Sequence, residues 1–310
     1  MDFYSLNPIG MIVLLVGAAT PIILAALGEL VVEKSGVLNL GVEGMMIIGA
    51  ATGFIIAVKT DSPYLGMLMA IACGAAVSVI FAVLTQFLLA NQVATGLALT
   101  LFGVGLAALL GDGFEGILPP STPSLNIPGI SDLPIVGELL FSYNPVIYFS
   151  VFLVFCVWYF LNRTRAGLIL RACGENHDAA HSLGYNVVMI RFGAIMFGGA
   201  CAGLGGAYIS LIRVPFWTQN ITAGSGWIAL AIVVFASWKP WRVILGAYLF
   251  GGITILQISL QALGISISAA YLSMTHYVVT IVVLVIMSAD RKRASLNAPA
   301  CLGRSFHASH

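Results

Sequence analysis

Three carboxylates, Glu29, Glu33 and Glu43, lie with five glycines in the stretch Gly28–Ala51, between two long apolar runs. Ionisable groups at membrane depth are costly and point to function by default. Two chemistries are open to these: a proton relay through Glu29, Glu33 or Glu43, or polar contact with a solute that passes along the chain. Glu43 follows Asn39 by about one helical turn, so both can project to one side of a restarting helix. Gln92 and Thr95, in the polar start of a later apolar run, are the other candidates for lining a path. Each has a structural alternative. A Glu near a helix N-terminus is favoured by the dipole and can cap free N–H groups, and for Glu43 that alternative ranks ahead of substrate contact. Glu29, Glu33 and Lys34 read as interfacial charges, and Gln92 and Thr95 suit interhelical hydrogen bonding equally well.

These residues must be positioned by membrane helices. Of 310 residues, 60% are hydrophobic and 8% charged, with a mean hydropathy of +1.02, whereas soluble domains are about 25% charged. The expected fold is all-α and polytopic, with eight to ten transmembrane helices, broken or re-entrant segments and a weak internal repeat. Length and polar breaks place helices near Ile9–Leu27, Leu40–Val58, Leu65–Ala90, Val93–Leu110, Val146–Leu161, Met189–Ile212, Trp227–Trp238, Val243–Leu263 and His276–Ser288. The run near residue 227 is short enough to be a half-helix. A break at Gly36–Gly44 is tolerable only where it is covered by protein or lines a cavity. Ser35-Gly36 and Ser225-Gly226 each lead from small polar residues into an apolar run, a faint internal echo of the kind seen in transporters. Small residues from Gly198 to Gly206 give overlapping small-xxx-small spacings suited to close helix packing.

One membrane domain is expected over residues 1–290, with a loop at 163–188 and a tail at 291–310. Arg163, Arg165, Arg171 and Arg191, and later Arg291, Lys292 and Arg293, put that loop and tail on the cytoplasmic side, whereas Gly111–Asn144 carries Asp112, Glu115, Asp132 and Glu138 without any Lys or Arg and faces outward. Alternating crossings then leave the N-terminus outside and the C-terminus inside. Lys59 and Arg213 fall on the outward side and are exceptions.

Within the loop, Gly174, Glu175, Asn176, Asp178, Ala179, Ala180, Leu183 and Gly184 belong to a short amphipathic helix bounded by glycines, with Asn176 as N-cap. Flanked by arginines, it suits docking into a partner's cleft. His177 and His181 have an i, i+4 spacing that metal ligands can use, but docking is preferred to metal binding. No Lys follows a Gly, so no GxxxxGK phosphate loop exists, and GxSxG and HExxH are also missing. Catalysis is not expected, and no basic face for nucleic acid is present. The five Cys, lying singly, read as reduced packing residues.

The elements Gly36-Val37-Leu38-Asn39-Leu40-Gly41-Val42-Glu43-Gly44-Met45-Met46, Asn91-Gln92-Val93-Ala94-Thr95-Gly96-Leu97-Ala98-Leu99, the Gly174–Gly184 helix and Ala298-Pro299-Ala300-Cys301-Leu302-Gly303 together resemble the permease subunits of bacterial ABC importers for nucleosides and simple sugars. These permeases are similar in turn to those for branched-chain amino acids and ribose. The resemblance implies a partner ATP-binding subunit that holds ATP and Mg, with no cofactor on this chain. It also implies an extracytoplasmic substrate-binding protein and a second permease subunit, with a different, related chain expected over a second copy, all in or against the lipid bilayer of the inner membrane. Gly174–Gly184 would be the helix that couples to the ATPase. Ribose-type permeases usually carry Asp-Leu-Ser-Val-Gly where this chain has Asn39-Leu40-Gly41-Val42-Glu43, so the nucleoside branch is the closer one. A stand-alone proton-coupled transporter and a purely structural scaffold are the rival readings.

Overall fold

A computed structural model describes residues 8–125, 141, 143–262, 274–275, 278–279, 281–282, 285 and 297–307. Every regular element among them is helical. In chain order these are α1 (Pro8–Lys34), α2 (Val42–Thr60), α3 (Pro63–Ala82), α4 (Gln92–Gly111), α5 (Pro145–Arg163), α6 (Arg165–Glu175), α7 (His177–Ser182), α8 (Val187–Tyr208), α9 (Ser225–Phe235) and α10 (Pro240–Ala262). Six of the described helices are long and apolar enough to cross a membrane: α1, α2, α3, α4, α5 and α8. The all-α polytopic architecture is therefore as expected. Of the helix expected at His276–Ser288 only scattered residues are described, and those are helical; Asp132, Glu138 and the basic residues 291–293 lie outside the described residues.

Local sequence sets most helix starts. Asn91, Asn144, Asn176 and Asn186 accept through Oδ1 from the backbone N–H groups of Ala94, Val146, Ala179 and Met189, and Thr164 Oγ1 accepts from Gly167. These side chains satisfy donors that a helix start leaves free. The end of α1 is a Schellman motif. Gly36, at φ +91°, donates to Glu33, and Val37 donates back to Val32. Both α3 and α8 run on into a single π turn, Val83–Phe87 and Ile209–Arg213 respectively.

Three elements differ from expectation. The helix expected at Trp227–Trp238 is Ser225–Phe235, because a side chain of α2 caps its start and positive φ at Ser237 and Trp238 ends it. Its 11 residues span about 16 Å, roughly half a hydrocarbon core. The two Ser-Gly pairs hold different places, since Ser35-Gly36 closes α1 and Ser225-Gly226 opens α9. Gly174 does not bound the short loop helix but belongs to α6, where a Cβ would overlap the Lys34 carbonyl oxygen.

The glycine-rich face of α8 sits at the centre. Gly198 meets Gly28 of α1, Gly206 meets the Met46 carbonyl of α2, and Gly199 meets Gly74 of α3. At the last pair each added Cβ would overlap the other residue's carbonyl oxygen, and Gly203 stands equally close to Ala70 and to Gly49. Backbones this close gain dispersion contacts that larger residues would prevent.

Gly74→Ala is expected to lower the thermal stability of the detergent-solubilised protein by about 1–3 kcal/mol, because the helices must separate to admit the methyl group. Gly193→Ala, where nothing lies within 4 Å of the added Cβ, is the control and should leave the melting temperature unchanged or slightly raised.

Candidate functional site

The break between α1 and α2 frees backbone groups inside an apolar protein, and side chains of α1 and α4, with Asn39 of the break itself, meet them. Leu38 N–H donates to Gln92 Oε1 at 2.8 Å, Asn39 N–H to Glu29 Oε1 at 3.2 Å, and Gly41 N–H to Asn39 Oδ1 at 3.0 Å. The Thr100 hydroxyl donates to the Leu40 carbonyl at 3.0 Å. Asn39 Nδ2 lies 3.5 Å from Glu29 Oε2. Glu29, Asn39 and Gln92 are buried, so the desolvation of each is offset by these bonds. Gln92 Nε2 is the exception: it is buried and has no partner among the described residues.

Glu43 works across to the second break. Its Oε1 accepts from the Thr222 hydroxyl at 2.6 Å and from Gly224 N–H at 2.9 Å, and its Oε2 accepts from Gly226 N–H at 2.6 Å. A carboxylate on α2 thus caps the N-terminus of α9, with the favourable dipole sense. Glu43 is a helix-capping candidate by its place near the start of α2, but the helix it caps is 183 residues downstream. Gly226 is required because a Cβ there would stand 2.6 Å from the Glu43 backbone.

The interfacial reading of Glu29 and Glu33 is corrected. Both are 1% exposed, and Glu33 accepts from Trp238 Nε1–H at 2.5 Å just beyond the end of α9. Thr95 is half-buried and faces a recess formed with Ile80, Leu84, Leu99 and Phe102, apart from the cluster around Asn39. A larger cavity of about 660 Å³ between α5, α6 and α8 is walled almost wholly by apolar side chains such as Val157, Leu170 and Phe197, and also lies apart from the polar cluster.

By sequence Arg191 is one of four loop charges, yet it is 0% exposed. Its Nε donates to the Ser35 carbonyl at 3.1 Å, its Nη1 to the Arg304 carbonyl at 3.0 Å, and its Nη2 lies 3.2 Å from His177 Nδ1. The chain end lies over the same spot: Cys301 N–H donates to Gly174, Gly303 N–H to Gly36, and Lys34 Nζ to the Asn297 carbonyl. One sequence signal could have found Arg191, namely a charge four residues into an apolar helix.

The loop helix α7 is capped by Asn176 and stopped by Gly184 at φ +87°, as expected. Phe306 packs edge-on against both His177 and His181, with centroids 5.3 Å away in each case. Ala180 faces inward with Cys173, Val187 and Phe306, so it is no part of an outer surface. Glu175, Asn176, Asp178, Ala179 and Gly184 are exposed, and Leu183 is 76% exposed.

A profile of the family described as branched-chain amino acid transport system / permease component matches residues 11–288. TsgC13 of Haloferax volcanii, an ABC transporter permease protein provisionally assigned to glucose, is 41% identical over 256 residues, 81% of this chain and 78% of that protein. The guanosine ABC transporter permease protein NupQ of Bacillus subtilis is 35% identical over 86% of this chain and 88% of its own length. The nucleoside ABC transporter permease protein NupC of Lactococcus lactis is 34% identical with the same coverage. No solved structure matches the chain.

Glu43→Ala leaves two N–H groups and a hydroxyl without their acceptor and is expected to cost about 3 kcal/mol or more of stability, read by thermal unfolding in detergent. Glu43→Gln retains one acceptor oxygen and should fall between the two. A second expectation concerns pH. Burial, then the neighbouring Arg191, holds His177 below its ordinary pKa, against a smaller opposing pull from Asp178. The unfolded chain therefore binds a proton that the folded one refuses. Stability is complete above roughly pH 6.5, where a free imidazole titrates, and falls as the pH drops below it. Amide exchange over residues 177–182 and 301–307 should quicken at pH 5.5, and His177→Asn should remove that pH dependence.

Proposed function

This chain belongs to the permease-component family of branched-chain amino acid transport systems, and on that premise we propose that it carries nucleosides across the bacterial cytoplasmic membrane. It is a multi-pass permease subunit of an ATP-driven importer, and not an enzyme. The observation that carries the substrate reading is similarity to two nucleoside permeases over 88% of each of their lengths. The Asn39–Glu43 element supports the same branch. A simple sugar is the second reading, favoured by the higher identity to TsgC13.

In this reading, an extracytoplasmic binding protein delivers the solute. A second permease, a different but related chain, completes the path, and ATP with Mg is bound by the partner ATPase. The N-terminus lies outside and the loop 163–188 and the C-terminus inside. The solute passes beside Gly36–Gly44, where Asn39 and Glu43 fix the wall through the backbone and the spare Nε2 of Gln92 supports a direct contact, with Thr95 meeting it at a separate recess. Gly174–Gly184 couples to the ATPase, with Glu175, Asn176, Asp178, Ala179 and Leu183 as its outer surface and Ala180 as its inner anchor. The shared exposure of Leu183, Glu175, Asp178 and Ala179 on and beside one short capped helix supports that docking role.

Leu183→Asp is therefore expected to leave the chain inserted and folded but to reduce recovery of the ATPase on affinity purification, and nucleoside uptake, by at least tenfold. Uptake in liposomes should require ATP and the binding protein. Uptake by this chain alone that collapses with an uncoupler would establish the proton-relay alternative instead.

A further inference from the structure

Two basic residues stand at the end of the helices opposite to the Arg-rich loop, Lys59 on α2 and Arg213 at the close of the π turn after α8. Lys59 is accounted for, with Nζ 5.7 Å from the Phe114 ring centroid in a cation–π contact. Arg213 is not. Among the described residues no hydrogen bond or ion pair engages its guanidinium, although it is half-buried in the wall of a cavity of about 290 Å³. A half-buried charge that has no partner among the described residues is expensive to keep.

The cavity lies at the second helix break. Thr222 and Ser225 contribute from the turn into α9 and Gln257 from α10, and Ile22, Ile209 and Ile228 supply apolar walls. Its volume is near the lower end of ligand cavities, roughly 300–1,000 Å³, and its lining of apolar walls with a few convergent polar groups is of the same kind. Among the described residues no acidic side chain lines it. The Glu43 carboxylate, bonded to Thr222 of the lining, is committed to Thr222, Gly224 and Gly226. Glu43 thus builds the floor of the cavity through Thr222.

A guanidinium offers five N–H donors in a planar fork and no acceptor, so the ligand that matches it best presents two acceptors along one flat edge. A zwitterionic amino acid would do so through its carboxylate but would leave its ammonium without an acidic partner. A phosphate ester would bring about two negative charges to one cation. An uncharged 6-oxopurine nucleoside presents O6 and N7 side by side, the pair that Arg reads by two parallel hydrogen bonds, whereas adenosine places an N6 donor there. The apolar faces of such a base suit the isoleucine walls. The geometry points to this cavity as a binding site on the transport path for 6-oxopurine nucleosides, with Arg213 as the residue that selects them over adenosine. This rests on the nucleoside reading above.

The test is uptake of inosine and of adenosine by the complete importer in liposomes, each measured with binding protein saturated by that nucleoside. The wild type should favour inosine. Arg213→Gln, and Arg213→Lys, which keeps the cation but not the fork, should each reduce the inosine-to-adenosine ratio by about tenfold or more. Light-driven crosslinking of 6-thioguanosine should label the segment 209–225, with protection by inosine and not by adenosine. An unchanged ratio in both variants, or an equal loss of both substrates, would overturn the role of Arg213. Transport of a sugar with no nucleoside transported by the wild type would instead overturn the nucleoside reading itself.

Discussion

A backbone that leaves a helix inside an apolar protein has to find partners for its N–H and C=O groups, and this constraint organises the whole molecule. The chain meets it twice. At Leu38–Gly41 the partners are Gln92, Glu29, Asn39 and Thr100, and at Thr222–Gly226 the partner is Glu43. Because Glu43 begins the helix that the first break releases, the two breaks are tied together by one carboxylate. Neither can move far without stranding buried donors on the other.

Close approach of backbones is what brings these partners within reach. The glycines of α8 let α1, α2 and α3 lie against it with no side chain between, and the same device repeats where Gly44 and Gly103 bring α2 and α4 together. Polar groups of α1, α2 and α4, with Asn39 of the first break, then converge on two short stretches of open backbone. A bulkier core would hold the helices apart and leave the breaks uncovered.

Toward the end that carries Lys34, a second layer forms around Arg191. Its guanidinium joins Ser35 at the helix break, the backbone of Arg304 near the chain end, and His177 in the loop helix. The segment Asn297–His307 therefore touches both the break and α7, through Gly36, Gly174 and the ring of Phe306. These contacts connect α7 to the break through Arg191 and the backbone of the chain's last described segment.

The sequence by itself determined the all-helical membrane architecture, the break after α1, the Asn caps and the short loop helix, because apolar length, Gly at a left-handed position and capping residues act within a few residues of where they stand. It also marked Asn39, Glu43 and Gln92 as unusual. What it could not decide was their partners. That Glu43 caps a helix 183 residues away, that Glu29 and Glu33 are buried instead of interfacial, that Ala180 faces inward, and that Arg191 lies at the centre of a junction all depend on how distant segments pack. Only the tertiary structure decided these, since the free energy of a buried polar group depends on the donor or acceptor that the fold sets beside it, and no local pattern encodes that neighbour.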